Sequence, residues 1–251
     1  MYSELCGNIS QPVIAVVGTW DPLLPGHKHL FTHLRQYADR VLLQPLVIML
    51  DPAPSSLISG SRATWPVYDA PDVRRALMNA CGINAILVVH FVEQDLSTPV
   101  SEFFRLISAW SKIDELLLGA NQLFGRGRDS TPRALADIAK RLKINLLRLP
   151  ADSSSQISGR VRGHIRKGNL RKAIRLVGRP PVWNMPARGL LRLKWPAGVY
   201  DCAPLNHPLE KPGRKRLRLE MTLQKNGSSK MTWPDKSIQW LAFISGPADT
   251  K

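Results

Sequence analysis

The stretch Val13-Ile14-Ala15-Val16-Val17-Gly18-Thr19-Trp20-Asp21-Pro22-Leu23-Leu24-Pro25-Gly26-His27 decides the fold. Its first five residues are apolar, mostly β-branched and without alternation, which is the pattern of a strand buried on both faces of a parallel sheet. A glycine turn follows, and a helix is expected to begin near Gly26-His27. Glycines at both ends of the turn let the backbone approach a ligand closely, and a helix start offers N–H groups to a phosphate. An ordinary strand-to-helix turn with an incidental histidine satisfies the same spacing, so the rest of the chain has to decide between them.

Working outward, strand-like and helix-like stretches alternate from Val13 to about Leu149. Strands are expected at Val13 to Val17, Leu43 to Leu50, Ile83 to His90, Glu115 to Leu118 and Ile144 to Leu149. Helical patterns lie between them at His27 to Tyr37, Pro71 to Ala80, Val100 to Trp110 and Pro132 to Leu142. This alternation predicts a doubly wound, Rossmann-like parallel α/β sheet with its ligand at the carboxyl ends of the strands. Residues 51 to 69 are rich in Pro, Ser and Gly and read as an active-site loop or a connector. Ala151 to Gln156 reads as a polar turn, with Ser158 as the N-cap of the basic helix that follows. After Pro181 the chain becomes Gly/Pro-punctuated, with β-like segments at Leu190 to Leu193, Gly198 to Cys202, Leu217 to Leu223 and Ile238 to Ile244. These suggest a small sheet or partial barrel. Two domains are expected, an α/β domain over residues 1–183 and a small β-rich domain over residues 184–251.

Composition excludes several classes. With 44% hydrophobic and 22% charged residues the chain is globular rather than disordered. No apolar stretch approaches the roughly 18 residues needed to span a bilayer, and Met1 to Cys6 lacks the pattern of a secretory signal. Three widely spaced cysteines, Cys6, Cys81 and Cys202, argue for reduced thiols in the cytoplasm, against a disulfide framework or zinc knuckle. The net charge of +16 is uneven: residues 1–150 hold 15 Lys and Arg against 13 Asp and Glu, and residues 151–251 hold 20 against 6. Two basic runs dominate, Arg160 to Arg175 and Lys211 to Arg218. They suit a solvated face, a phosphate-handling helix, or a surface for non-specific nucleic acid or an acidic partner; no membrane partner is expected.

Residues 18–27 resemble the Gly-x-Phe-Asp-x-x-His-x-Gly-His signature of the HxGH-type nucleotidylyltransferases. Gly18, Trp20 (for Phe), Asp21, Gly26 and His27 match it, and Leu24 stands at the first histidine. Leu118-Gly119-Ala120-Asn121-Gln122-Leu123-Phe124-Gly125-Arg126-Gly127-Arg128 is similar to the Gly-x-(Asp/Asn)-Phe-x-Phe-Gly-x-Gly-Arg segment of the bacterial bifunctional riboflavin kinase/FMN adenylyltransferases, also called FAD synthetases. Ser158-Gly159-Arg160-Val161-Arg162 and Leu176-Val177-Gly178-Arg179-Pro180 resemble that family's Ser-Ser-Thr-x-Ile-Arg helix and closing Leu-Gly-Arg-Pro. Trp195-Pro196-Ala197-Gly198-Val199-Tyr200 is similar to a strand of its kinase barrel, but the kinase's Pro-Thr-Ala-Asn signature is absent.

The resemblance implies an HxGH nucleotidylyltransferase fold and transfer of AMP from ATP to FMN with Mg²⁺, giving FAD and pyrophosphate, with a kinase remnant that has no kinase activity. It implies that His27 donates to the α-phosphate while Gly18, Thr19 and Trp20 place backbone groups along the nucleotide and Asp21 holds the turn. Gly26 belongs to the same nucleotide-binding motif. Asn121 falls at the position associated with metal and phosphates. Ser158 and Arg162, with Arg160 assisting, fall where the β- and γ-phosphates are held. Leu24 removes one donor, and Gln122-Leu123 leave the flavin contact unmatched. Three other readings stay open: a descendant that binds ATP or flavin nucleotide as a sensor or partner protein, a transferase for another phosphorylated acceptor, and a nucleic-acid binder using the basic C-terminal part.

Overall fold

The structure is a computed structural model, and it describes residues 2–54, 57, 68–118, 131–148, 154–184, 190–193, 195–224, 229–233, 235 and 237–249. By contact the chain forms two compact units, interleaved along the sequence. The first comprises Met1–Thr19, Lys28–Ser61 and Met78–Asp152; the second comprises Trp20–His27, Arg62–Leu77 and Ser153–Lys251. The sequence character places one cut after residue 183; by contact the loop Trp20–His27, the segment Arg62–Leu77 and the two helices of residues 154–177 group with the C-terminal sheet.

The first unit is built on a six-stranded sheet. Its strands are β1 (Tyr2–Cys6), β2 (Val13–Gly18), β3 (Gln44–Asp51), β4 (Ala85–His90), β5 (Ile113–Leu118) and β6 (Asn145–Arg148), in the order β1-β4-β3-β2-β5-β6. All pairings are parallel except the edge pair β1–β4. Between these strands in sequence lie helices α1 (Pro25–Val41), α2 (Pro71–Asn79), α3 (Val100–Ser108) and α4 (Pro132–Leu142), of which Pro25–His27 of α1 and Pro71–Leu77 of α2 group with the second unit. Val13 to Val17 are at most 2% exposed, as expected for a strand covered on both faces. One core face packs Val13, Ala15 and Val17 with Phe103, Phe104 and Leu135.

Strand order reverses between β2 and β5, which pair from Val13↔Ile113 to Val16↔Leu117. That is the topological switch point of a doubly wound sheet, and ligands bind there outside the carboxyl ends of the strands. Gly18 ends β2 and Leu118 ends β5, so the 18–27 and 118–128 motifs both leave the sheet at this point. Most of the second motif, including Asn121 and Gln122-Leu123, lies outside the described residues.

The second unit holds a six-stranded antiparallel sheet in the order β7-β12-β9-β10-β11-β8. The strands are β7 (Val182–Asn184), β8 (Leu190–Leu193), β9 (Gly198–Leu205), β10 (Leu217–Leu223), β11 (Ser229–Thr232) and β12 (Trp240–Ser245). Trp195, Tyr200 and Phe243 form its aromatic centre, with ring centroids 5.1 to 6.0 Å apart. The basic run Arg160 to Arg175 is two helices, α5 (Ser154–Arg166) and α6 (Leu170–Val177). The break falls at Gly168, whose φ of +72° suits glycine and ends the first helix. Among the described residues no helix is long and apolar enough to cross a membrane.

Burial raises the values of Tyr68, Tyr200 and Cys202 in this unit, with the neighbouring Asp69 charge adding to the effect at Tyr68. Each folded-state value lies above the unfolded one, so their contribution to stability is complete below the unfolded range of about pH 8.5 to 10 and fades as pH rises through the folded values. Urea midpoints measured from pH 7 to pH 11 are therefore expected to be flat up to about pH 8.5 and to fall above it. A midpoint that held to pH 11 would contradict this assignment of buried phenols and thiol.

Candidate functional site

The loop between β2 and α1 is held in place by its apolar side chains. Trp20 takes a left-handed backbone conformation with φ of 52°, unusual for a bulky residue, and its side chain is buried with those of Pro22, Leu23 and Leu24. The polar residues Thr19 and Asp21 of the loop, and His27 in the first turn of α1, are half-buried.

Pro25 opens α1, where proline's missing N–H has no partner to lose. Leu24 is the residue before the helix, and its carbonyl accepts from the His27 N–H at 3.0 Å. The His27 ring returns the bond: Nδ1 accepts from the Leu24 N–H at 3.1 Å. This reciprocal pair has the logic of a capping box, with histidine in the place of Glu or Gln at the third helical position. It also fixes the tautomer. A ring whose Nδ1 accepts a hydrogen bond is neutral and carries its proton on Nε2, which makes Nε2 a donor. The Trp20 ring meets the imidazole edge-on, 5.1 Å between centroids at 87°.

Asp21 ties this loop to a second segment. Its Oδ1 accepts from the backbone N–H of Tyr68 at 2.9 Å and of Asp69 at 3.3 Å. Asp69 is fully buried and pairs with both terminal nitrogens of Arg179, through Nη1 at 2.7 Å to Oδ1 and through Nη2 to Oδ2. The Arg179 guanidinium also lies over the Tyr68 ring, 5.6 Å from its centroid, and the Tyr68 hydroxyl donates to the Arg179 carbonyl. Burial works to lower the Arg179 value, but the Asp69 charge and its hydrogen bonds outweigh it and hold it above the ordinary arginine range.

Arg162, on α5, is half-buried. Burial pulls its value down, Asp21 opposes that pull, and Arg166 reinforces it. A guanidinium that is desolvated and faces a like charge is poised to accept an additional anion.

Asp21, His27 and Arg162 thus lie in one unit, with Asp21 as the charge linking loop to helix. Ser158 does not cap α5: the helix starts at Ser154, so Ser158 and Arg162 lie within its body rather than on its first turn. The serines before it continue into the helix because serine is favourable near a helix start and the sequence offers no earlier stop. Ser158 remains one turn from Arg162 on the same face, and both are half-buried. Arg160 and Gly26 are exposed, and Gly18 and Thr19 end the first segment of the first unit. The supporting trio Tyr68, Asp69 and Arg179 carries almost no mark in the sequence. Its one legible signal was the position of Arg179 inside the Leu-Val-Gly-Arg-Pro segment.

Leu24 is 1% exposed. Its side chain is part of the interior, and its contribution to the site is the backbone N–H that orients His27. Leu24→His is expected to lower stability by about 1 to 3 kcal/mol, because an imidazole would be desolvated there without a built partner. A denaturation midpoint equal to wild type would show that the position can instead present its side chain to a ligand.

Comparison with known proteins agrees with the motifs. Residues 7–159 match the family model described as FAD synthetase. A FAD synthetase of Listeria monocytogenes is 28% identical over 102 residues, covering 39% of this chain and 42% of the relative. A bifunctional riboflavin kinase/FMN adenylyltransferase of the same organism is 23% identical over 169 residues, covering 66% of this chain and 54% of the relative. The chain therefore spans about half the length of the curated relatives it matches. Among solved structures, a macrolide-efflux protein from Streptococcus pneumoniae superposes with a TM-score of 0.58 at 20% identity, covering 96% of this chain and 86% of that one. At that identity the likeness concerns the fold.

Proposed function

The chain belongs to the FAD synthetase family, and from that premise we propose that it transfers AMP from ATP to FMN, giving FAD and pyrophosphate, and has no riboflavin kinase activity. The observation that carries the reading is the Leu24 N–H to His27 Nδ1 bond at a helix start, because it prepares a neutral imidazole to donate through Nε2. Adenylyl transfer needs such a donor. An FMN phosphate oxygen attacks the α-phosphorus in line while pyrophosphate leaves, and charge builds on the α-phosphate oxygens as the bond forms.

Arg162 supplies the second group in this reading. Its half-buried guanidinium pairs with the β- and γ-phosphates, and Ser158 one turn earlier adds a hydroxyl donor. Asp21 keeps Arg162 balanced before nucleotide arrives. Arg162→Ala is expected to weaken ATP binding at least about tenfold, roughly 1.4 kcal/mol; unchanged affinity by calorimetry would move the phosphate site elsewhere. Among the described residues no group of three or more His, Cys, Asp or Glu side chains is placed to hold a metal. Asn121, at the position the resemblance links to metal, lies outside the described residues, and Mg²⁺ enters in this reading with the triphosphate it accompanies, as is usual for that ion.

A second reading, nucleotide binding without turnover, is favoured by Leu24 standing buried where the family signature has a histidine. One experiment separates the two. Purified protein with ATP, Mg²⁺ and FMN is expected to yield FAD and pyrophosphate, and riboflavin in parallel is expected to remain unphosphorylated. Binding of ATP and FMN without product would select the second reading, and FMN formed from riboflavin would overturn the kinase statement.

A further inference from the structure

From Ser153 to Tyr200 the chain contains no Asp or Glu, against eleven Lys and Arg. The fold concentrates part of this charge on one side of the α5–α6 pair. His164 of α5 is surrounded by Arg160 of the same helix, Lys167 in the turn, and Lys172 and Arg175 of α6. After burial, these four like charges are what lower its value. Among the described residues none of the four forms an ion pair. Cations held together without carboxylates repel one another, and a polyanion laid across them would relieve that repulsion.

Beside this cluster runs a groove of about 510 Å³, wholly within the second unit. Arg171 and Arg175 line it from α6 and Arg216 from the loop before β10, with apolar wall from Ile174, Pro212 and Ile244. Arg171 and Arg175 are one helical turn apart, so their side chains project side by side. Arg216 is tied to its own loop, donating through Nη1 to the carbonyls of Gly213 and Lys215. Lys211, Arg214 and Lys215 continue the charge along that segment, while Arg218 at its end pairs with Asp201 at 3.3 Å.

We propose that the groove and the adjoining α5–α6 surface form a binding site for single-stranded nucleic acid, held through its phosphates. Guanidinium groups pair with phosphate oxygens in a planar fork. The apolar wall suits the sugar and base edge of a nucleotide, and the volume is that of a small-ligand cleft rather than a seat for a duplex. The charge extends well past the groove onto α5 and the 211–218 segment, which suits a continuous chain of phosphates better than one compact anion. Among the described residues no aromatic side chain lines the groove, so the site as described offers phosphate contacts rather than base stacking and the binding is independent of sequence. The site uses residues other than Asp21, His27 and Arg162, and it stands whether or not adenylyl transfer occurs.

The test titrates a labelled 20-nucleotide single-stranded DNA against the full chain by fluorescence anisotropy over a range of NaCl concentrations. Binding is expected to weaken linearly in log–log form with salt. The variant Arg171→Ala/Lys172→Ala/Arg175→Ala is expected to lose at least about tenfold in affinity at low salt and to show a slope shallower by about 2, since each lost contact to a single strand removes about 0.7. All three residues are exposed, and unaltered thermal melting checks the fold. A measurement on the unmodified protein stands beside it: the imidazole resonances of His164 should titrate at higher pH when the strand is bound, because its phosphates offset Arg160, Lys167, Lys172 and Arg175. A triple variant that binds with unchanged slope, or a His164 titration unmoved by the strand, overturns the proposal. So does poly-glutamate displacing the DNA at equal charge concentration, which would make the surface a site for acidic protein.

Discussion

Replacing His27 by alanine is expected to lower kcat for FAD formation at least about 10²-fold, the usual consequence of removing one donor to developing oxyanion charge. Stability should change far less. The lost contact is a bond at a helix start, worth about 1 kcal/mol, so the melting temperature should move by only a few degrees. The two roles of His27 can be separated with His27→Gln. Glutamine is a natural residue for this helical position, and its carbonyl oxygen can accept from the Leu24 N–H as Nδ1 does. The glutamine variant is therefore expected to recover the melting temperature without recovering kcat. Recovery of kcat would reduce His27 to a loop-positioning residue, and full activity in the alanine variant would remove it from the mechanism.

The fold is legible in the sequence where one physical signal dominates. Continuous apolar β-branched runs marked β2, β3 and β4 because such strands are covered on both faces and need no alternation. The helix Pro132–Leu142 was bounded correctly because Thr131 caps it, accepting from the Ala134 N–H at 3.2 Å, and proline follows at the first position. Short elements whose pairing partners are distant left little trace. β1 is an antiparallel edge strand of mixed composition, β7 has three residues, and β11 reads Ser-Lys-Met-Thr. Each is defined by its neighbour rather than by its own pattern.

The site divides in the same way. The residues of the decapeptide were legible because local spacing carries them, whereas the partners of Asp21 were not. Tyr68 and Asp69 lie 47 and 48 residues away from it, beside a Pro/Ser/Gly-rich stretch that reads as connector. A buried carboxylate has no sequence signature. Only the fold shows that Asp69 is enclosed and that Arg179, 110 residues on, neutralises it.

That buried pair carries the largest stability effect expected of a single substitution in the second unit. Asp69 has no exposure and the Arg179 side chain 17%, so Asp69→Ala would leave an enclosed guanidinium without its bidentate partner and the Val182 N–H without the Asp69 oxygen it reaches at 3.4 Å. Breaking one side of such a pair costs about 3 to 5 kcal/mol, mostly from the stranded charge rather than from the lost attraction. The double variant Asp69→Leu/Arg179→Met distinguishes these two sources. If desolvation of the remaining charge dominates, removing both charges and refilling the volume should cost less than Asp69→Ala alone, although the Tyr68 ring loses the cation above it. If direct attraction dominates, the double variant should be at least as unstable as the single one. The first order is expected, because each side chain is taken out of water whether or not its partner is present. Urea denaturation of wild type, Asp69→Ala, Asp69→Leu, Arg179→Met and the double variant gives the midpoints needed. A double variant less stable than Asp69→Ala would show that the fork between Asp69 and Arg179 is itself the main attachment of the Tyr68-Asp69 segment, and through it of Asp21.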